Sequence, residues 1–291
     1  MERELWPLLY RTVRASARDF SQKYVHIPAW VLIVTMLWAA LHDRPVSWAC
    51  RPENWSSTRL RPVHLPSAST MSRRVDGQAV GWLWHAVEQR LRQASRAHPA
   101  LMAFLDGKPL PIGGASKDRD AGYGRAAGTK AKGYKLHAIW AQRALPEVWD
   151  IAPMNTQEQT MARRLLPQVR AGGYVVADGN YDSSALFDLA WQQGYQLLTP
   201  LPRQGTPGGG HHYQSPHRRR SIELMQSRYG QALYGLRIGI EQAYGNATTF
   251  AGGLAPLPAW VRGRDRLRTW VWAKLLINAA RILRNNNLRQ T

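Results

Sequence analysis

The sequence Leu101-Met-Ala-Phe-Leu-Asp106 decides the fold, because it is a short apolar run that closes on a carboxylate. Tyr174-Val-Val-Ala-Asp178 repeats this arrangement later in the chain. Short apolar runs bounded by turn residues are typical of buried strands. Each stretch therefore predicts a strand with an aspartate at the position where the strand ends.

Further strand and helix patterns surround these two runs. The sequence predicts strands at residues 101–105, 134–140, 148–152, 174–177 and 195–198, and helices at residues 157–170, 183–193, 221–245 and 264–284. Three strands close together, followed by alternating helices and strands, indicate an α/β fold with a mixed sheet flanked by helices. This order fits an RNase H-like core, in which the first strand, the fourth strand and a late helix surround one site.

The N-terminal third has a different sequence pattern. It predicts helices at residues 2–20, 29–41 and 77–96, with a connector rich in Pro, Ser and Arg at residues 43–74. We therefore expect an all-α domain over residues 1–97 and an RNase H-like domain over residues 98–291, with an exposed Gly/Pro-rich insertion at about residues 200–220.

The most apolar stretch, residues 29–41, is shorter than the roughly 20 residues needed to span a bilayer. It predicts a buried core helix, and we expect a soluble, cytoplasmic protein with no membrane partner. The 13 tryptophans are expected mostly in the core. The single cysteine, Cys50, excludes an intramolecular disulfide.

The charge of the chain indicates a polyanionic partner. Lys and Arg number 39 against 19 Asp and Glu, which gives a net charge of +20. The basic residues recur from one end of the chain to the other, and this pattern favours DNA or RNA over a local basic tail.

Three acidic residues are the candidate catalytic and metal-binding groups: Asp106, Asp178 and Glu241. Hard divalent cations prefer carboxylate oxygens, so this set predicts metal-dependent chemistry on nucleic acid. At the helical angle of about 100° per residue, Tyr234 and Arg237 fall on the same face as Glu241, within an arc of about 60°. One alternative is a surface ion pair between Arg237 and Glu241, and Asp182 is a rival to Asp178.

Four stretches carry a family resemblance: residues 105–107, 132–137, 177–183 and 234–241. In them the chain resembles the DDE-class transposases of bacterial insertion sequences, in the branch with a Tyr-x2-Arg-x3-Glu signature. The resemblance covers roughly residues 100–285, about two thirds of the chain. It implies that Glu241 completes a site for Mg²⁺, with Mn²⁺ as a substitute, and that Tyr234 and Arg237 hold the phosphate backbone at the transposon end.

The resemblance also implies a homodimer on DNA that handles terminal inverted repeats and target DNA. One position departs from the family pattern, because Thr248 stands where a lysine is usual. Lys274 or Arg262 could supply the missing charge. The departure puts in doubt one contact with the DNA end or the exact branch, and leaves the acidic set intact.

Basic clusters elsewhere are candidate DNA contacts. Lys130 and Lys132 close a basic, Gly-rich stretch, which is either a hairpin tip that grips DNA or a solvated loop. Arg218, Arg219 and Arg220 precede the predicted helix of Glu241 and are expected to face DNA. The histidines His211, His212 and His217 are expected in a solvated loop, since no Cys or helical spacing supports a metal site.

The predicted function is DNA transposition: binding of element ends, metal-dependent hydrolysis of phosphodiester bonds and transfer of the 3′ ends to target DNA. Two alternatives stay open. One is an RNase H-like nuclease without strand transfer, and the other is a non-catalytic DNA-binding derivative of a transposase.

Overall fold

The computed structural model describes residues 2–20, 26–55, 59–95, 101–126, 128–141, 144–169, 172–200, 214–248, 253–254 and 256–290. Its contacts divide the chain into two compact units. The helical unit consists of Met1–Arg96 and Ala247–Thr291, and the sheet unit consists of Ala97–Asn246. This division differs from the predicted boundary, because the last 45 or so residues were expected in the same domain as the sheet.

The helical unit contains α1 (Glu2–Ala17), α2 (Ala29–Leu41), α3 (Val46–Ala49), α4 (Ala68–Arg74), α5 (Gln78–Ala94) and α11 (Arg264–Gln290). The apolar helix α2 is buried along almost its whole length, as predicted for a core helix. Helix α11 packs against α1, α2 and α5, which explains why the C-terminal residues belong to this unit. Among the described residues, no helix combines the length and the apolar character that a membrane crossing requires.

Tryptophans form much of the core of the helical unit. The ring of Trp38 stacks on Trp55 with centroids 4.8 Å apart, and it meets the edge of Trp6 at 4.7 Å. All three side chains are buried. The predicted core role of the tryptophans holds here, whereas Trp82 and Trp191 are exposed.

In its described residues, the sheet unit contains six strands and most of five helices. The strands are β1 (Met102–Pro111), β2 (Gly122–Ala126), β3 (Thr129–Trp140), β4 (Val148–Pro153), β5 (Gly173–Ala177) and β6 (Tyr195–Leu198). The helices are α6 (Glu158–Leu165), α7 (Ser184–Gln192), α8 (Pro216–Gln226), α9 (Arg228–Gly235) and α10 (Ile238–Thr248). Residues 201–213 of the predicted insertion, with His211 and His212, lie outside the described residues, and residues 216–220 begin α8.

The sheet is mixed and has the order β2-β3-β1-β5-β6, with β4 paired to β3. Strand β3 runs antiparallel to β1, β2 and β4, whereas β1, β5 and β6 are parallel. This arrangement confirms the predicted α/β fold with a mixed sheet flanked by helices and an all-helical N-terminal region, consistent with an RNase H-like domain.

The strand β2 was not predicted. Its glycines were taken for loop residues, but they allow the strand to lie directly against the turn after β4. A Cβ on Gly122 would come within 2.0 Å of Asn155, and one on Gly124 within 2.6 Å of Met154. The stretch that carries Lys130 and Lys132 is therefore part of a paired β-hairpin.

The two faces of the sheet are covered by different helices. Alternation along β1 places Leu105 in a cluster with apolar residues of α6 and α7. On the other face lies α10, where a Cβ on Gly239 would come within 3.6 Å of the ring of Phe104 and where Tyr244 packs on Trp140. Since Asp106 follows Leu105, its side chain lies on the α10 face.

Candidate functional site

Asp106 lies inside β1. The strand was predicted to end at this residue, but it continues to Pro111 because β3 pairs with it from Phe104 to Pro111. The carboxylate accepts a hydrogen bond from the backbone N–H of Gly107 at 2.8 Å. The hydroxyl of Tyr244 in α10 donates to the backbone oxygen of Asp106 at 2.9 Å. The first bond orients the carboxylate on its own strand, and the second holds that strand against α10.

Asp178 follows directly on β5, as predicted. Its carboxylate accepts from the backbone N–H of Asn180 at 2.8 Å and from the side-chain amide of the same residue at 3.3 Å. In the parallel pair of β1 and β5, Leu105 is opposite Ala177. Asp106 and Asp178 are therefore the next residues on two neighbouring strands, at the same level of the sheet.

The rival carboxylate, Asp182, is bound elsewhere. It accepts two hydrogen bonds from Arg218, at 2.6 Å to Nε and 2.8 Å to Nη2. The preference for Asp178 over Asp182 as a site residue is consistent with this arrangement.

The Tyr234, Arg237 and Glu241 triplet does not occupy one helix face. Helix α9 ends at Gly235 and α10 begins at Ile238, so Arg237 lies in the connection. The backbone there forms turns with hydrogen bonds between residues i+3 and i, and the N–H of Arg237 donates to the backbone oxygen of Tyr234 at 2.9 Å. The expectation of a continuous helix over residues 221–245 is therefore wrong, and glycines 235 and 239, which are poor helix formers, flank the break.

Arg237 nevertheless connects the acidic residues. Its guanidinium lies 3.9 Å from Oδ2 of Asp106 and 3.6 Å from Oε1 of Glu241. The predicted alternative of an i,i+4 ion pair with Glu241 is thus present, but the same guanidinium also reaches β1. The Glu241 side chain is 65% exposed, whereas that of Asp106 is 20% exposed.

Electrostatics at the site disfavour the ionised acids. Burial raises the pKa of Asp106 from 3.8 to about 6, although the Gly107 N–H and Arg237 oppose the shift. The charges of Asp178 and Glu158 add to the increase. Burial also raises the pKa of Asp178, against the effect of its bond from Asn180. The two aspartates thus form a partly desolvated acidic pair.

The three predicted metal ligands do not form a single cluster. Within the described ranges, no three Asp, Glu, His or Cys side chains lie close enough together to hold a metal ion. Asp106 and Asp178 lie at neighbouring positions, and Glu241 joins them only through Arg237. The chemistry of the aspartate pair still fits a divalent cation, because each carboxylate has an elevated pKa that a nearby positive charge would lower.

Two further charged residues belong to this site, and the sequence did not identify them. Lys135 of β3 binds Glu158 of α6, with Nζ 2.6 Å from Oε1. Lys135 lies in one of the stretches that carry the family resemblance. A lysine between buried residues of a strand is the feature of the sequence that could have identified it as a site residue. Glu158 offered no signal, since it opens an ordinary amphipathic helix.

His137, from the same stretch, is fully buried. Burial and the charge of Lys135 lower its pKa to about 4, so the ring is neutral. Its position is opposite Gly107 in the ladder, on the face of the sheet away from the Asp106 carboxylate. Packing is the role that this placement supports.

Some of the predicted DNA contacts are exposed, and others are bonded to groups of the protein itself. Lys130 is exposed, with its ammonium 5.6 Å from the ring centre of the exposed Tyr123. Arg219 and Arg220 are also exposed. By contrast, Lys132 donates to the backbone oxygen of Ser116, and Arg218 binds Asp182.

The two residues that could replace the charge of a lysine at position 248 also bind other groups of the protein. Lys274 is 1% exposed and donates to the oxygen of Ala40 and to Asp43. Arg262 donates to two backbone oxygens of its own loop. Both residues lie in the helical unit, where these bonds give them structural roles.

The family model described as Transposase DDE domain matches residues 98–277. Searching the curated proteins gave no match.

Proposed function

Because the chain belongs to the Transposase DDE domain family and is a transposase, we propose that it moves DNA by cut-and-paste transposition. In this proposal the protein binds the terminal inverted repeats of its element, cuts the 3′ ends and joins them to target DNA. The observation that carries it is the position of Arg237, whose guanidinium contacts both Asp106 and Glu241 beside the neighbouring Asp178.

Mg²⁺ is the proposed cofactor, with Mn²⁺ as a substitute. Asp106 and Asp178 would hold it through their carboxylates, and Glu241 would join them by a change of its exposed side chain. The charges favour this occupant, because the site combines four carboxylates with two cations: Asp106, Asp178, Glu158 and Glu241 against Lys135 and Arg237. When bound, divalent ions activate the attacking hydroxyl and stabilise the leaving oxygen.

Arg237 and Tyr234 are proposed to position the DNA end. A guanidinium presents a planar fork that matches two phosphate oxygens, and Arg237 already lies between two carboxylates at the site. Burial raises the pKa of Tyr234, Arg237 lowers it, and the charges of Asp178, Asp106 and Glu241 raise it further, so this phenol is close to the acidic set. A phosphate that replaces the carboxylates around Arg237 would bring the scissile bond to the aspartate pair.

The outer face of the β2–β3 hairpin is proposed as a DNA backbone contact. Tyr123 is opposite Lys132, and Arg125 is opposite Lys130, so these side chains share one face. Tyr123, Arg125 and Lys130 are exposed on it. Arg219 and Arg220 are proposed as a second set of phosphate contacts, and two copies of the chain are expected to act together because two element ends must be joined in one reaction.

Asp178→Asn tests the proposal. The variant should bind end DNA as the wild-type protein does and should fail to nick it in Mg²⁺, because a carboxylate that holds the cation is lost. Nicking at the wild-type rate would refute the assignment. A strand-transfer assay with pre-cut ends separates a transposase from a nuclease, which would release the ends without joining them.

A further inference from the structure

The ion pair between Lys135 and Glu158 is unusually well enclosed for charged side chains. Each side chain is only 14% exposed, and Nζ lies 2.6 Å from Oε1. Lys135 comes from β3 and Glu158 from the first turn of α6. An enclosed pair of this kind exerts its charge on neighbouring groups with little screening by water.

The backbone next to Asp106 makes room for this lysine. A Cβ on Gly107 would lie 2.6 Å from Cδ of Lys135 and 3.2 Å from its Cγ. In the ladder, Asp106 is opposite Ala138, so Lys135 lies on the other face of the sheet. A positive charge therefore reaches the site from the α6 face, whereas Arg237 contacts Asp106 from the α10 face.

The first turn of α6 is also connected to the Asp178 turn. The side-chain amide of Gln159 donates to the backbone oxygen of Asn180 at 3.0 Å, and the N–H of Asn180 donates to Asp178. Glu158 is therefore held at a fixed place relative to Asp178. In agreement, beside the larger effect of burial, the negative charge of Glu158 raises the pKa of both site aspartates, and Lys135 lowers that of Asp178.

We propose that Glu158 and Lys135 together set the affinity of the aspartate pair for its divalent cation. Glu158 adds a negative charge that attracts the cation and raises the affinity for it. Lys135 adds a positive charge that repels the cation and lowers the affinity. Both act as positioning residues, since neither is a proposed ligand. The inference rests on the proposed function, because it takes Asp106 and Asp178 as the ligands.

Variants of the two residues should have opposite effects. Glu158→Gln removes a negative charge and releases the Lys135 ammonium toward Asp178, so cation binding should weaken. Lys135→Met removes a positive charge and leaves the Glu158 carboxylate uncompensated, so cation binding should tighten. The double variant loses both charges and should return close to the wild-type affinity. A purely structural role for the pair would give losses of the same sign in both single variants.

The experiment is a calorimetric titration of the full chain with Mn²⁺ alone, without DNA. We expect at least about fivefold weaker binding for Glu158→Gln and at least about fivefold tighter binding for Lys135→Met. Arg164→Met is the matched control, because it removes another ion pair between α6 and the sheet, that with Asp150 at 3.1 Å. Its Mn²⁺ affinity should stay at the wild-type value.

Each outcome decides the question. Shifts of the same sign, or no shift, in folded single variants overturn the inference. If the wild-type chain binds Mn²⁺ no better than the double variant Asp106→Asn with Asp178→Asn, the proposed function itself fails. Circular dichroism in EDTA checks folding, and Lys135→Gln takes the place of Lys135→Met if the latter is unfolded. Lys135→Arg keeps the charge and should keep the affinity.

Discussion

Asp106→Asn should stabilise the metal-free protein at neutral pH. Burial raises the pKa of this carboxyl from 3.8 to about 6, so the folded protein holds the proton more tightly than the unfolded chain does. Above pH 6 the ionised carboxylate therefore costs folding free energy. Each pKa unit corresponds to about 1.4 kcal/mol, so the cost is about 3 kcal/mol at pH 7.5.

The size of this stabilisation depends on pH in a way that can be measured. Well below pH 3.8 the carboxyl is protonated in both states, so the wild-type protein and Asp106→Asn should be equally stable there, and at pH 4 their difference should already be small. Between pH 4 and pH 6 the wild-type protein loses stability as the pH rises, and the difference stays constant above that range. The asparagine keeps an oxygen that can accept the Gly107 N–H, so this hydrogen bond is preserved.

Urea denaturation in EDTA at pH 4 and pH 7.5 is the assay. Asp106→Asn should have the higher urea midpoint at pH 7.5. Asp182→Asn is the control, since the same chemical change there weakens two hydrogen bonds from Arg218 and should lower the midpoint. An unchanged or lower midpoint for Asp106→Asn at pH 7.5 would contradict the reasoning, because it would mean that burial does not penalise the charge.

Three further predictions concern the sheet, the arginine at the site and the arginines of α8. Gly133→Ala should lower the free energy of unfolding by about 3 kcal/mol or more, because its Cβ would lie 2.4 Å from a backbone oxygen of β1; Gly81→Ala, with open space around it, should be neutral or stabilising in the same urea assay. Arg237→Lys should reduce DNA cleavage by about tenfold to a hundredfold with end binding almost unchanged in gel-shift assays, since one ammonium cannot replace the fork that contacts two carboxylates. Arg219→Ala should weaken DNA binding and reduce its salt dependence, whereas Arg218→Ala should instead lower thermal stability through loss of the bonds to Asp182.

The elements with strong local signals were predictable from the sequence. The strand at residues 174–177 is apolar throughout, and the structure places β5 at Gly173–Ala177. The same local signal placed Asp178 at a strand end. Helix α2 was predicted with its observed bounds because its apolar run starts after Pro28.

Other features depend on contacts that no local pattern reports. Gly122 and Gly124 resemble loop residues until the close approach of the turn after β4 is known. The break at Arg237 required knowledge that α10 bonds to Asp106 through Tyr244. The enclosed charge of Lys135 could not be distinguished from a solvated one, because its partner lies 23 residues away in another element.

The place of α11 in the helical unit has a consequence for biosynthesis. Residues 97–246 are synthesised before residues 264–290, so the sheet can acquire its native pairing before α11 is complete. The helices α1, α2 and α5 must wait for α11 before the apolar surfaces that it contacts are covered. A nascent chain that lacks α11 can thus carry a paired sheet beside an incomplete bundle, and any DNA-handling role of that bundle is postponed until α11 has been made.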